Sequence, residues 1–269
     1  MKTEQEMLED SKKEKEARSR SMRFRCAPGI ACFSSCCRDV NIFLSPYDIL
    51  RMKTRLKLPS TAFLERHART LLPGPGKIPV IQLVMREDDK RCPFVTSEGC
   101  SIYEDRPWAC RMYPLDKSEE TGEYEFMVSE ERCLGRKEPV EWVIGDWLAD
   151  QGLPPYEEMD ERFKTVTQYP RLLEAGIDQP QVQKMFRMAC YDLDTFRRFV
   201  FETRFLKIFD VEPEIVEQIR TDDLALLELA LRWLRFGLVC GDVLPIKEEY
   251  AKKKKEELEV ARRKDLSRS

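Results

Sequence analysis

The chain has 269 residues, 42% of them hydrophobic and 35% charged, with a formal net charge of −3. That supplies apolar material for one large core or two small ones, and the faintly acidic total argues against a nucleic-acid binder, which carries a basic footprint. Ten cysteines stand against a single histidine, His67, so any metal chemistry in this chain is thiolate chemistry.

Residues 1–22 are charged and lack an apolar stripe; they read as an N-terminal arm, either a frayed helix or disordered. They also lack the apolar run of a secretory leader. The most apolar later stretch, LALLELALRWLRFGLVC from Leu224, is interrupted by Glu228, Arg232 and Arg235. A membrane helix needs about 20 mostly apolar residues, so this one reads as a buried core helix and no membrane span is expected. The expected compartment is the cytoplasm, where thiols stay reduced and dense cysteine points to metal rather than disulfide.

CAPGIACFSSCC, Cys26 to Cys37, is a loop. SPYDILRMKTRLKL follows as a helix with Ser45 as N-cap and Pro46 in the first turn, and STAFLERHARTLL as a second, capped by Ser60 or Thr61. PGPG at 73–76 breaks it. IPVIQLVMRE predicts a strand over about 79–86, and YEFMVS, behind the turn DKSEETGE, a second. DRPWACRMY predicts one or two helical turns with Asp105 as cap. From Pro139 onward PVEWVIGDWLADQGL, PYEEMDERFKTVTQ, QVQKMFRMACYDLDTFRRFVFETRFLKIF, EPEIVEQI and DDLALLELALRWLRFGL all read as amphipathic or buried helices. The expected fold is mainly α with a small β-hairpin or sheet. A metal-braced cysteine-rich module at 23–138 precedes a helical module at 139–245 and a charged C-terminal helix or tail at 246–269. No internal repeat of 20–50 residues is visible.

Eight cysteines precede residue 138: Cys26, Cys32, Cys36, Cys37, Cys92, Cys100, Cys110 and Cys133. They lie in loops or at element ends beside Gly and Pro, where burying a thiol gains little. Four thiolates converging from short loops close a tetrahedral zinc site or hold an iron–sulfur cluster. Cys190 and Cys240 sit in apolar helical stretches and read as small core residues. His67, mid-helix, reads as a partly exposed helix residue. Neighbouring side chains diverge, so Cys36 and Cys37 serve different metals or one is spare; eight thiolates fill two four-ligand sites or one cluster with extra cysteines. A site of four thiolates is anionic, and Arg106 and Arg111 are the best placed of Arg91, Arg106, Arg111 and Arg132 to offset it.

These motifs resemble the YkgJ family of cysteine-cluster proteins, described as a zinc- or iron-chelating domain. The resemblance is carried by a cysteine cluster ending in a CC pair, by Cys92, and by Cys100, Ile102, Tyr103, Arg106, Pro107, Cys110, Arg111, Tyr113 and Pro114, and it spans about residues 24–135. It implies the same eight cysteines as ligands, with iron–sulfur or zinc as the cofactor and its identity open. Flagellin lysine-N-methylases resemble the family in the same motif region.

Three functions follow. The first is a metal-binding protein whose centre is structural or electron-carrying. The second, implied by the methylase resemblance, is an S-adenosylmethionine-dependent protein lysine methylase. The third is a metal-braced scaffold with a protein partner not identifiable from sequence. No glycine-rich nucleotide fingerprint, CxxC or CxxxCxxC triplet supports an enzyme. Glu104, Asp105 and Asp146 read as caps or surface carboxylates, and no catalytic residue is assigned.

Overall fold

Residues 4–19 are not loose: they form a helix tied down by specific contacts. The computed structural model describes residues 4–72, 74, 77–118, 121–169, 172, 174–239 and 243–256. Helix α1 (Glu4–Ser19) buries Ala17. Arg18 pairs with Glu14 at 2.6 Å and Glu157 at 3.0 Å, and the Tyr124 hydroxyl donates to Glu14 at 2.9 Å.

In chain order there follow β1 (Ser21–Arg23), β2 (Phe43–Leu44), α2 (Pro46–Leu56), α3 (Ser60–His67), β3 (Ala68–Leu71), β4 (Val80–Leu83), β5 (Val95–Thr96), β6 (Gly99–Cys100), α4 (Trp108–Met112), β7 (Leu115–Lys117), β8 (Tyr124–Phe126) and β9 (Glu141–Val143). Seven helices complete the order: α5 (Ile144–Asp150), α6 (Pro154–Thr167), α7 (Pro180–Tyr191), α8 (Leu193–Glu202), α9 (Phe205–Ile208), α10 (Pro213–Gln218) and α11 (Asp223–Leu238). The fold is mainly α with small antiparallel sheets, as the patterning predicts. The chain divides into two units: residues 1–58, 65–70 and 81–161, and residues 59–64, 71–80 and 162–269.

The strands of the first unit are staples rather than a continuous sheet. β1 pairs antiparallel with β9, setting Met22 opposite Trp142, and β7 pairs with β8 as a hairpin. β5 and β6 form a two-residue ladder, and β4 lies between β2 and β3. The core between these staples holds Ala17, Met22, Phe24, Leu115, Trp147 and Leu148, with Cys133 among them. PVEWVIGDWLADQGL is not helical throughout: Glu141–Val143 is strand β9, and the helix starts only at Ile144. Tryptophan and valine favour strands, and pairing with β1 supplies the partner that periodicity along one segment does not show.

Helix α2 starts as its sequence predicts. The Ser45 hydroxyl accepts from the Asp48 N–H, the Asp48 carboxylate accepts from the Ser45 N–H, and Pro46 sits in the first turn, a reciprocal capping box. Asp105 does not cap the following helical turn. It closes a 3-10 turn over Tyr103–Asp105 and pairs with Arg51 at 2.7 Å.

In the second unit the long helical stretch from Gln181 breaks at Asp192, whose carboxylate accepts from the Thr195 N–H at the start of α8. Asp192 also accepts the Ser60 and Thr61 hydroxyls, each at 2.9 Å, so these two residues donate across to α8. The aromatic core joins Phe196, Phe199, Phe205 and Trp233, with ring centroids 5.2–6.1 Å apart. Helix α11 buries Leu226, Leu227 and Ala230 completely. No helix among the described residues is long and apolar enough to cross a membrane. Residues 248–256 are helical. Cys240, three of the four PGPG residues and 257–269 lie outside the described residues.

Candidate metal centre

The loop from Cys26 to Cys37 coils through successive tight turns. Phe33 N–H donates to the Ile30 carbonyl at 2.8 Å, Ser35 to Cys32 at 2.9 Å and Cys37 to Ser34 at 3.1 Å. Ser34 takes a left-handed conformation, φ 64°, and a 3-10 turn over Ser35–Cys37 follows. Such winding turns the Cys26, Cys32 and Cys36 side chains toward one side. There they meet Cys133 around a cavity of about 120 Å³ that is also lined by Phe24, Arg25, Tyr113 and Arg132.

The β1–β9 staple brings Cys133 to this place. Just beyond the staple, the Arg25 N–H donates to the Gly135 carbonyl at 3.0 Å and Phe24 to Val140 at 3.0 Å. A Cβ on Gly135 would stand 2.3 Å from the Arg25 carbonyl oxygen, so only glycine lets the two segments approach this closely. The Cys133 sulfur accepts the N–H groups of Gly135 and Arg136 and the Tyr113 hydroxyl. Burial pushes the Cys26 thiol up to about 11, with Cys36, Cys133 and Cys32 adding to the effect.

The other four cysteines form a second group. Cys92 N–H donates to the Cys37 carbonyl at 2.7 Å, which fixes Cys92 beside the CC pair. The β5–β6 ladder sets Cys100 opposite Val95, three residues beyond Cys92. Gly99, at φ +120°, makes the turn with the Phe33 ring 3.2 Å from where its Cβ would stand. Helix α4 carries Cys110, whose thiol is pushed up to about 12 by burial first, then by Cys92, Cys100 and Asp48. The Cys92 sulfur accepts from the N–H groups of Phe94 and Val95, and Cys100 from Ile102. Donors two and three residues past a cysteine, here and at Cys133, are placed to stabilise a sulfur anion.

Cys36 faces the first group and Cys37 the second. Burial and the charges of Cys36, Cys133 and Cys32 raise the Tyr113 phenol, whereas Cys37 feels Cys110 and Cys92 after Cys36 itself. In a 3-10 turn, at 3.0 residues per turn, adjacent side chains diverge by roughly 120°. The divergence is not complete: the Cys37 thiol donates to the Cys36 sulfur, lowering Cys36 to about 7 and raising Cys37. The nine described cysteines are all free. Cys190 is fully buried in α7.

Of the arginines, Arg106 is 6% exposed, lies over the Tyr103 ring and carries charge felt at Cys100 and Cys110. The Arg111 guanidinium is engaged elsewhere. It donates to the carbonyls of Arg106, Gln151 and Glu104 and stacks on Tyr156. Arg132 lines the first cavity, and Arg91 reaches toward Asp89. His67 ends α3 with its ring against Phe94, 5.1 Å between centroids.

Sequence reasoning missed Arg25, Arg86 and Asp48, and named Tyr113 only as part of the motif that carries the resemblance. Arg86 carries charge felt at Cys92 and donates to the Val95 carbonyl at 3.0 Å. Asp48 is 2% exposed; its Oδ1 accepts from Trp108 N–H at 2.8 Å and its Oδ2 from Ser45 N–H at 2.7 Å. It thus ties α2 to the helical turn that carries Cys110. Burial pushes its carboxyl up to about 6, against those N–H donors and Arg111. The Asp48 signal was weak, a carboxylate in a capping box.

Soft sulfur donors, N–H groups aimed at three of them and arginines close by suit zinc or iron. Among the described residues no three His, Cys, Asp or Glu side chains are drawn together tightly enough to hold an ion as they stand. No curated protein and no solved structure matches the chain. Residues 25–134, which contain all eight of these cysteines, match the family model CxxCxxCC, described as a "putative zinc- or iron-chelating domain". The match agrees with the resemblance that the motifs of this segment carry.

Proposed function

We propose that the protein binds metal at two four-thiolate centres, Cys26, Cys32, Cys36 and Cys133 in one and Cys37, Cys92, Cys100 and Cys110 in the other. The centres are structural or electron-carrying. The observation that carries this reading is the sorting of eight thiols into two quartets that meet at adjacent residues. Four thiolates satisfy one zinc ion or one iron–sulfur cluster. Ions caged by loops from so many points of the chain would hold those loops in place, so metal affinity becomes folding stability.

The test is elemental analysis of chain purified without oxygen. Zinc and iron are measured for the unaltered chain and for Cys110→Ser and Cys190→Ser. Cys110→Ser should lose the metal of one centre and destabilise the first unit; Cys190→Ser should keep the full content. Equal loss from both variants, or an unaltered chain without transition metal, contradicts the reading.

A further inference from the structure

Resting on the two-centre reading, we infer that Gln151, at the C-terminal end of α5 and outside the segment that matches the family model, is a positioning residue for the Cys37, Cys92, Cys100 and Cys110 centre. Its side-chain oxygen holds the Arg106 guanidinium in the stretch between Cys100 and Cys110 and leaves that cation's charge free to act on the thiolates. Arg106 is 6% exposed, and a buried cation is stable only when hydrogen-bonded and matched by an anion. Its guanidinium donates to the Tyr103 carbonyl and to Gln151 Oε1, each at 2.6 Å. Both acceptors are neutral, so they satisfy the N–H groups without cancelling the charge. That charge is felt at Cys100 and Cys110. Four thiolates around a divalent ion are anionic in sum, and such a cation offsets them.

The core, not the cysteine loops, sets the place of Gln151. Helix α5 buries Trp147 and Leu148, and the Gln151 N–H donates to the Trp147 carbonyl at 2.9 Å. Gly152 then turns the chain at φ +67°, where a Cβ would stand 2.9 Å from Arg111 Nη1. The Gln151 carbonyl accepts from that same nitrogen at 2.5 Å. One residue thus receives both arginines, Arg111 on its backbone and Arg106 on its side chain. Nε2 donates to Asp150 Oδ2 at 3.0 Å, which keeps Oε1 turned to Arg106. The backbone contact holds for any residue at 151, but the side-chain contact depends on a neutral acceptor. A glutamate there would make the same hydrogen bond and neutralise Arg106.

The experiment loads the full chain, reduced and without oxygen, with cobalt(II), whose thiolate-to-metal absorbance reports occupancy, and titrates it with a chelator. Absorbance missing from Cys110→Ser belongs to the centre in question. Gln151→Glu keeps shape and hydrogen bond, so the metal-free chain should unfold at an unchanged or higher temperature. Cobalt affinity at that centre should nevertheless fall roughly 10- to 100-fold, the usual cost of losing a partner behind a metal ligand, while the Cys133 centre is unchanged. Gln151→Met, which drops the acceptor and adds no charge, should weaken the same centre by less. Unchanged affinity in Gln151→Glu overturns the inference and leaves the two-centre reading standing. A loss shared equally by both centres, or one accompanied by lower metal-free stability, marks a purely structural contact and also overturns it. An unaltered chain with no Cys110-dependent absorbance ends both.

Discussion

Gly135 has no room for a side chain, because a Cβ there would stand 2.3 Å from the Arg25 carbonyl oxygen, in the segment that leads into Cys26. Gly135→Ala should therefore force the two segments apart, costing about 1–3 kcal/mol as an overpacked site and reducing metal content at the first quartet. Gly237, in α11, meets nothing within 4 Å, and Gly237→Ala should stabilise by up to ~1 kcal/mol through helix propensity. Denaturant titration of both variants checks the opposite signs. At this scale much was legible. The eight cysteines stand out because thiols at loop ends beside Gly and Pro have little packing role. The Ser45–Pro46 helix start is written in four consecutive residues. The sorting of thiols was not legible, since it depends on Cys133 folding back beside Cys26, and a lone glycine at 135 does not say which segment it lets approach. The roles of Tyr113 and Asp48 escaped for the same reason: their partners, Cys133 and Trp108, are distant along the chain.

Helices and strands position the cysteines through a few specific ties. The β1–β9 pairing joins residues 21–23 to 141–143 and so delivers Cys133 to the first loop. Its second strand was read as helix because Glu-Trp-Val runs straight into a genuine helix, α5; only the partner strand distinguishes them. Asp48 performs the equivalent task for α4. Asp48→Ala would leave the Trp108 and Ser45 N–H groups without their acceptors, a loss of about 2 kcal/mol or more. It should lower metal occupancy in the Cys110 quartet before that in the Cys133 quartet. Asp48→Asn, which keeps one acceptor and removes a charge disfavoured by burial, should cost less. Thermal unfolding and metal analysis of the two variants, side by side, check that order; equal losses would mean the carboxylate does not hold α4 in place.

The two units are built by different means. The second has an aromatic core around Phe196, Phe205 and Trp233 that needs no ligand. The first uses strands of two to four residues and long loops around a smaller apolar core, and on the two-centre proposal bound ions would add to its stability. Prolonged chelation under reducing conditions should accordingly raise amide exchange throughout residues 24–135, while α7, α8 and α11 stay protected; uniform loss of protection would show the metal supports the whole chain. A last consequence belongs to the CC pair. On the two-centre proposal, one three-residue turn presents Cys36 to one quartet and Cys37 to the other. Whichever ion arrives first bears the entropy of freezing that turn, and its successor is spared it. Uptake should be positively cooperative, with a steeper isotherm than two independent sites give, and a glycine inserted between Cys36 and Cys37 should uncouple them.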